Sequence, residues 1–134
     1  MDELGLLKVG PKSAGSEPGP VCYDKGGVQP TVTDADLTLG YLDENFFLGG
    51  TMNLNKQKAE EIIDKEIAQK LNVTVEKAAA GIHRVVSENM ANAARVHILE
   101  KGYDPRSFSM IAFGGAGPVH AYHCLLYTSD AADE

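Results

Sequence analysis

Nine glycines and four prolines lie within the first fifty residues, and this density constrains the fold more than any other feature of the sequence. Glycine readily adopts positive φ angles and proline fixes φ, so the region is predicted to be a succession of turns. Residues 6–9 are predicted to form a short strand before the turn at Gly10 and Pro11. Residues 13–27 are predicted to form one long loop. Loops of this length in compact domains are usually functional or disordered, and apolar side chains such as Val21 favour an ordered one.

A short helix is predicted over residues 36–42, with Thr33 or Asp34 as its N-cap. Asp34 and Asp36 therefore have two interpretations. As residues at a helix start they favour the helix dipole. As active-site carboxylates they can hold a metal–nucleotide complex. The sequence alone leaves both interpretations open, with capping the more common one.

Two longer helices follow, because apolar residues recur at helical spacing over about residues 56–70 and again over about residues 75–101. The stripe of the first includes Ile63 and Ile67, and Lys and Glu occupy its other face. The signals that bound these helices are N-caps and a glycine stop: Asn53 or Asn55, Thr74, and Gly102 followed by Pro105.

A strand is predicted over residues 108–113, followed by a glycine-rich turn and then by a helix that has Pro118 at its first position. The order helix, strand, glycine-rich turn, helix indicates an α/β fold. The turn consists of Gly114, Gly115, Ala116 and Gly117. It fits neither a Walker A loop nor the pattern GxGxxG.

The glycine-rich turn is the sharpest candidate for a binding site in the sequence. Ligands bind outside the carboxyl ends of strands in open α/β sheets, and a helix N-terminus offers unpaired N–H donors. His120 is expected near the third position of the following helix, where it would face the same mouth as the glycines. Two alternatives stay open: the turn is only a tight connection, and His120 is only a hydrogen-bonded boundary residue.

The overall composition excludes several classes of protein. The chain has 134 residues and a formal net charge of −7, which argues against a nucleic-acid partner because such binding relies on clustered Lys and Arg. No apolar run approaches the ~20 residues that span a bilayer, so no membrane partner is expected. Cys22 and Cys124 lie far apart, Cys22 most simply as a small core residue, and the cytoplasm is the expected location.

Four blocks of sequence, in this order and spacing, resemble the hydantoinase A / 5-oxoprolinase family. The resemblance covers residues 1–123, with mild departures at Val21 and Asp36, where the family usually has Ala and Asn. The blocks are residues 9–15 (VGPKSAG) continuing into 18–23 (PGPVCY), 30–36 (PTVTDAD), 47–50 (FLGG), and 102–105 (GYDP) continuing into 112–121 (AFGGAGPVHA).

The resemblance implies an actin-like ATPase (ribonuclease H-like) lobe, in which two α/β lobes close on ATP. Mg²⁺ is expected as the companion ion of the nucleotide. Such enzymes use ATP to activate the carbonyl of a cyclic amide and open hydantoin or 5-oxoproline rings; relatives are subunits of ATP-dependent ketone carboxylases. A hydantoinase B-type partner subunit or domain is expected. The turn of Gly114, Gly115, Ala116 and Gly117 would hold the adenosine part of ATP. Ser13, Cys22, Asp34 and His120 would lie toward the cleft.

The resemblance also predicts that this chain is a fragment with little activity alone, since the family's phosphate-binding segment belongs to an N-terminal lobe absent here. Residues 124–134 depart from the family and look like a translated sequencing-adapter sequence, so they are interpreted as a non-native tail. A stand-alone nucleotide-binding module without catalysis is the remaining alternative. That module would fold cooperatively, whereas a fragment would expose its interdomain face.

Overall fold

The computed structural model describes residues 6–128, and residues 1–5 and 129–134 lie outside the described part. The chain divides into two compact units, Met1–His83 and Arg84–Glu134. We call them unit 1 and unit 2 and describe each by itself.

Unit 1 is a set of helices joined by long turns. A 3₁₀ turn, Val21–Tyr23, precedes α1, Val32–Thr38. A continuous helical stretch follows: α2 covers Lys56–Ile63, a π-helical segment covers Asp64–Ala68, and α3 covers Gln69–Leu71. This stretch confirms the helix predicted over residues 56–70, including Asn55 as its N-cap. The next helix, α4, spans Val75–Glu100, and the boundary between the units falls within it.

The start of α1 differs from the prediction. Thr31, rather than Thr33 or Asp34, is the N-cap, and the helix ends at Thr38 rather than near residue 42. The physical reason is a capping box: the Thr31 hydroxyl accepts a hydrogen bond from the Asp34 N–H, and the Asp34 carboxylate accepts one from the Thr31 N–H. Asp34 is therefore the third residue of the helix.

Unit 1 holds two clusters of buried apolar side chains. The larger cluster joins α1, the end of α2, the π-helical segment and the start of α4 through Ala35, Ile63, Ile67, Ala68, Ala78, Ala79 and Ile82. The smaller one joins the 3₁₀ turn, α1 and α2 through Cys22, Leu37, Leu54 and Ala59. The small residues in both clusters let these helices approach one another closely.

Unit 2 contains the rest of α4, a 3₁₀ turn at Pro105–Ser107, and α5, Gly117–Thr128. The end of α4 follows the predicted stop. Gly102 has a φ of 78°, and the Tyr103 N–H donates to the Ile98 carbonyl over 3.2 Å, which is the backbone reversal that glycine permits after a helix. Residues 124–128 form the last turns of α5, so the part of the tail that the structure describes is helical. Its non-native origin stays a prediction, and residues 129–134 lie outside the described part.

The strands predicted at residues 6–9 and 108–113 are not formed. Residues 6–128 contain helices, turns and one isolated antiparallel bridge, between Phe47 and Met52. The α/β prediction is therefore met only by its helices. A strand needs a partner strand for its backbone groups, and the described residues supply none for either segment. None of the described helices is long and apolar enough to cross a membrane.

Candidate functional site

The carboxylate of Asp34 is the hub of a buried hydrogen-bond network in unit 1. Its Oδ1 accepts from the Cys22 N–H over 2.7 Å, and its Oδ2 accepts from the Val21 N–H over 3.2 Å. The N–H and the hydroxyl of Thr31 also donate to Oδ2, over 2.9 and 2.8 Å. Four donors on one carboxylate, in a site closed to solvent, fix the 3₁₀ turn against the start of α1.

Cys22 lies beside this carboxylate and is fully buried. Burial raises the pKa of the Cys22 thiol, and the neighbouring Asp34 carboxylate raises it further. The thiolate is the reactive form of cysteine, so this thiol is inert at neutral pH. The Cys22 carbonyl accepts from the Asn55 N–H over 2.8 Å, which ties the turn to the start of α2. Cys22 is a core residue, as the simpler interpretation of the sequence had it.

The turn between Gly19 and Gly27 is tight enough to require glycine. A Cβ at Gly27 would collide with the backbone carbonyl oxygen of Gly19. An exposed ion pair between Asp24 and Lys58 connects the same turn to α2 and lowers the pKa of Asp24. The predicted long loop is therefore ordered through both its backbone and its side chains.

A cleft of about 670 Å³ opens beside this turn in unit 1. Ser13 lies in its wall, and its Oγ accepts from the Gly15 N–H over 3.1 Å. The charged residues among the described lining residues are three lysines and one glutamate: Lys8, Lys12, Lys70 and Glu66. The Lys70 ammonium lies 2.7 Å from the Glu66 carboxylate and lowers the pKa of Glu66. The surplus of positive charge suits an anionic ligand.

A buried histidine–carboxylate pair also lies in unit 1. His83 Nδ1 and Asp36 Oδ1 are 2.8 Å apart, and both side chains are buried. The Tyr41 ring lies against the imidazole, with ring centroids 4.9 Å apart. Sequence reasoning assigned no role to His83, because 47 residues separate it from Asp36 and no local pattern links them. The one available signal for this pair was Asp36 itself, an acidic residue at a position where the family usually has Asn.

The glycine-rich turn of unit 2 is exposed. Gly114 has a φ of 94°, a conformation that favours glycine. A Cβ at Gly114, Gly115 or Gly117 would meet no atom within 4 Å. Nothing in the described part of the chain therefore requires glycine at Gly115 and Gly117, and their backbone is open to a ligand or another part of the protein.

His120 does not share the exposure of these glycines. Its side chain is buried, and its Nδ1 lies 3.3 Å from the Ser87 hydroxyl on α4. Cys124, one turn later on α5, donates from its thiol to the Ser87 carbonyl over 3.7 Å. Burial raises the pKa of that thiol as well. His120 and Cys124 thus hold α5 against α4, and a role of His120 toward a ligand stays a prediction.

This chain is similar to known proteins of one family. A family model described as Hydantoinase/oxoprolinase matches residues 1–128. Caprolactamase subunit alpha of Pseudomonas jessenii is 52% identical over 120 residues, which cover 90% of this chain and 17% of that protein. The acetophenone carboxylase gamma subunit of Aromatoleum aromaticum is 55% identical over 114 residues, which cover 85% of this chain and 16% of that protein.

A solved structure shows the same backbone. The crystal structure of the ATP-dependent caprolactamase from Pseudomonas jessenii matches with a TM-score of 0.88 and 48% identity, over 96% of this chain and 19% of that one. The chain thus spans less than a fifth of the length of these relatives.

Proposed function

Because this chain belongs to the hydantoinase/oxoprolinase family, we propose that it is one part of a longer, ATP-dependent enzyme that hydrolyses a cyclic amide. Hydantoin and 5-oxoproline are the substrates expected from the family. The observation that carries the proposal is the high identity to caprolactamase, whose substrate name denotes a lactam, that is, a cyclic amide. The solved relative is named as ATP-dependent, and its backbone is close to this one.

ATP would supply the activation of an otherwise unreactive amide carbonyl, and Mg²⁺ would accompany the triphosphate. We propose that the turn of Gly114 to Gly117 contacts the adenosine part of the nucleotide. Two observations support this role. The backbone of the turn is open, and α5 begins at Gly117, so the N–H groups of a helix N-terminus lie beside it. The actin-like arrangement of two lobes around the nucleotide is part of the same proposal.

In unit 1, we propose that the residues expected toward the cleft divide into two roles. Ser13 lines the cleft and would contact a ligand. Asp34 and Cys22 would shape the cleft from beneath, since both are fully buried and engaged in holding the turn at Val21–Tyr23. The lysines of the lining would favour an anionic ligand over a neutral one.

A ketone carboxylase subunit is the second candidate function. The acetophenone carboxylase gamma subunit is as similar to this chain as the caprolactamase subunit is, so identity does not separate the two reactions. Both relatives are named as subunits, which supports a partner subunit, and a hydantoinase B-type chain is the one we propose. A cytoplasmic location is part of the same proposal, and the free thiol of Cys22 supports it.

The test is a measurement of ADP release by the longer polypeptide that contains this chain, purified with its partner subunit. Caprolactam, 5-oxoproline and hydantoin are compared with acetone and acetophenone in the presence of bicarbonate. We expect ADP to be released only when a cyclic amide is present, in an amount equal to that of the ring-opened product. ADP release that depends only on a ketone and bicarbonate would select the carboxylase.

The role of the turn is tested with Gly115→Val. We expect this change to weaken ATP binding about tenfold or more, since a side chain would enter the open space beside the backbone and cost at least about 1.4 kcal/mol. Ala94→Val, at an exposed position of α4, is the control and leaves ATP binding unchanged. Equal ATP affinity of both variants would remove the turn from the nucleotide site.

A further inference from the structure

The cleft of unit 1 has an apolar floor. Ile67 and Ile82 form this floor; they are 6% and 4% exposed and belong to the larger buried cluster. Leu7, Val9 and Val32 also line the cleft and pack against the same cluster. The volume of about 670 Å³ is typical of small-molecule sites, which are mostly apolar with a few well-placed polar groups. The floor therefore suits a ligand that has a hydrocarbon part.

The exposed side chains that line the cleft make its rim cationic. Lys8 and Lys12 are exposed lining residues, and neither forms an ion pair with another described residue. Lys70 is paired with Glu66, so these two charges largely cancel. The described lining residues thus carry two uncompensated positive charges, those of Lys8 and Lys12. An anionic group bound there would gain charge-assisted hydrogen bonds, which are roughly twice as strong as neutral ones.

Two hydroxyl groups in the cleft wall add to the preference for an anion. Ser13 Oγ accepts from the Gly15 N–H over 3.1 Å, and the Ser13 hydroxyl proton has no acceptor among the described residues. Thr33 is a half-buried lining residue, and its hydroxyl has no partner in the described part of the chain. Because a hydroxyl can donate as well as accept, both side chains can donate to an anion beside the lysines.

The wall of the cleft also includes an irregular helical turn. The segment Asp64–Ala68 is π-helical, and the Gln69 N–H donates to the carbonyl of Asp64, five residues back. Two residues of this segment, Glu66 and Ile67, line the cleft. Single π-helical turns inside α-helices occur frequently at functional sites. The turn is therefore a reason, independent of charge, to expect a ligand in this cleft.

Both reactions considered under the proposed function yield an organic carboxylate. Hydrolysis of a cyclic amide adds water across the C–N bond, so the ring-opened product gains a carboxylate and an amine. Carboxylation of a ketone replaces a C–H hydrogen with the carboxylate of bicarbonate and releases water. In either case a neutral cyclic amide or ketone becomes an anion that keeps a hydrocarbon part. These two properties are the ones that the rim and the floor of the cleft would recognise.

We propose that this cleft binds the carboxylate product of the reaction, with the carboxylate held by Lys8 and Lys12 and the hydrocarbon part placed over Ile67 and Ile82. The identity of the ligand rests on the proposed function, and it is the same class for either reaction. Inorganic phosphate is a poorer ligand because it has no apolar part to cover the floor. A neutral substrate is a poorer ligand because it leaves both lysines without an anion. The cleft would therefore distinguish the product from a neutral substrate.

The first test measures binding without turnover, so its result does not depend on whether the proposed reaction occurs. Hexanoate, hexanamide and inorganic phosphate are titrated by calorimetry into the longer polypeptide that contains this chain, purified with its partner subunit. Hexanamide has the same hydrocarbon chain as hexanoate without the charge, and phosphate has charge without the chain. We expect hexanoate to bind about tenfold or more tightly than either of them, because only hexanoate satisfies both the rim and the floor.

A pair of double variants assigns the binding to the cleft. We expect Lys8→Gln/Lys12→Gln to weaken hexanoate binding about tenfold or more, because hydrogen bonds to charged groups are stronger than neutral ones. The matched control is Lys25→Gln/Lys77→Gln, which makes the same change of net charge at exposed positions of unit 1 outside the cleft lining. It should bind hexanoate like the parent protein. Equal hexanoate affinity of the two double variants, or a parent protein that does not bind hexanoate, would overturn the proposal. Phosphate binding as tight as hexanoate binding would also overturn it.

The second test is inhibition of ADP release by the product of the neutral substrate that the activity measurement selects. The products are N-carbamoylglycine for hydantoin, 6-aminohexanoate for caprolactam and acetoacetate for acetone. We expect Lys8→Gln/Lys12→Gln to raise the inhibition constant of the product about tenfold or more, with a smaller change in KM, because the substrate carries no charge. An inhibition constant that changes no more than KM does would overturn the proposal. If no substrate causes ADP release, the proposed function fails, and the binding test decides the role of the cleft.

Discussion

The two units of this chain differ in how much of their apolar surface they bury. Unit 1 buries its apolar residues in two clusters formed by its own helices. In unit 2 the buried apolar side chains among the described residues are Ala91 and Cys124, while Ile111 and Phe113 are almost fully exposed. Unit 1 also exposes apolar side chains such as Val28 and Phe46, but it holds both buried clusters, and the described residues of unit 2 form no comparable cluster.

This difference indicates which unit contributes most to the stability of the isolated chain. Burial of apolar surface is the main favourable contribution to folding, at about 25 cal/mol per Å². A unit with closed clusters gains this contribution within its own boundaries. A unit with exposed aromatic and aliphatic side chains gains it only when another part of the protein covers them. Substitutions should therefore have unequal effects in the two units.

The largest effect is expected from a paired truncation in the two units. Ile63→Ala should destabilise the chain by about 2 to 5 kcal/mol, because Ile63 is fully buried and its loss leaves a cavity. Ile111→Ala should change stability by less than about 0.5 kcal/mol, because Ile111 is exposed. Urea denaturation of both variants checks the comparison. Equal losses of stability would contradict the division into a closed and an open unit.

A comparable but smaller effect is expected from the polar networks. Asp34→Asn keeps the shape of the side chain but replaces one acceptor oxygen with a donor that faces N–H groups, and should cost about 3 kcal/mol. The counterpart in unit 2 is Ser87→Ala, which removes a single 3.3 Å contact with His120 and should cost about 1 kcal/mol. Thermal unfolding of the two variants measures the difference. A loss for Asp34→Asn no greater than that for Ser87→Ala would show that the carboxylate does not hold the turn.

The buried pair of His83 and Asp36 should contribute less. His83→Ala removes the 2.8 Å contact with Asp36 and the packing against Tyr41, and should cost about 2 kcal/mol. Asp36→Asn keeps an oxygen that accepts from Nδ1–H and should cost less than about 1 kcal/mol. Chemical denaturation at pH 7 resolves the two. An Asp36→Asn variant as unstable as His83→Ala would show that the charge, rather than the hydrogen bond, matters.

The smallest effect concerns the exposed pair at the cleft. Lys70 lowers the pKa of Glu66 from its usual value of 4.5, so the pairing stabilises the fold above that value and is lost as the pH falls through the lowered pKa. Because Lys70 is exposed and Glu66 is partly exposed, the change in stability should be too small to resolve. Lys70→Ala should raise the pKa of Glu66 toward 4.5, and an NMR titration of the Glu66 carboxyl group measures this. An unchanged pKa would show that the pair does not form in solution.

The helices could be predicted from local sequence signals. Contacts between residues far apart in the sequence could not be predicted. Asn55, Thr74 and Gly102 lie next to the helix ends that they define, so the bounds of α2 and α4 follow from short-range chemistry. The start of α1 was misplaced because Thr31 and Asp34 cap it together, an arrangement that Thr33 obscured.

The residues of the candidate site could be predicted only in part. The glycine-rich turn was visible as a local pattern, but the hub at Asp34 depends on the fold of a loop twelve residues away. The pair of His83 and Asp36 depends on two helices meeting across 47 residues. Residues 108–113 have the composition of a strand, as predicted, but the described residues contain no strand that could pair with them.

Native-state hydrogen exchange of the 134-residue chain tests the contrast between the two units most directly. We expect slow exchange in unit 1 for the amides of α2 and the π-helical segment, which carry Ala59, Ile63 and Ile67 into the buried clusters. We expect exchange close to the unfolded rate for residues 109–113 of unit 2. Similar protection of both regions in the isolated chain would show that unit 2 closes its own core and would contradict the contrast between the units.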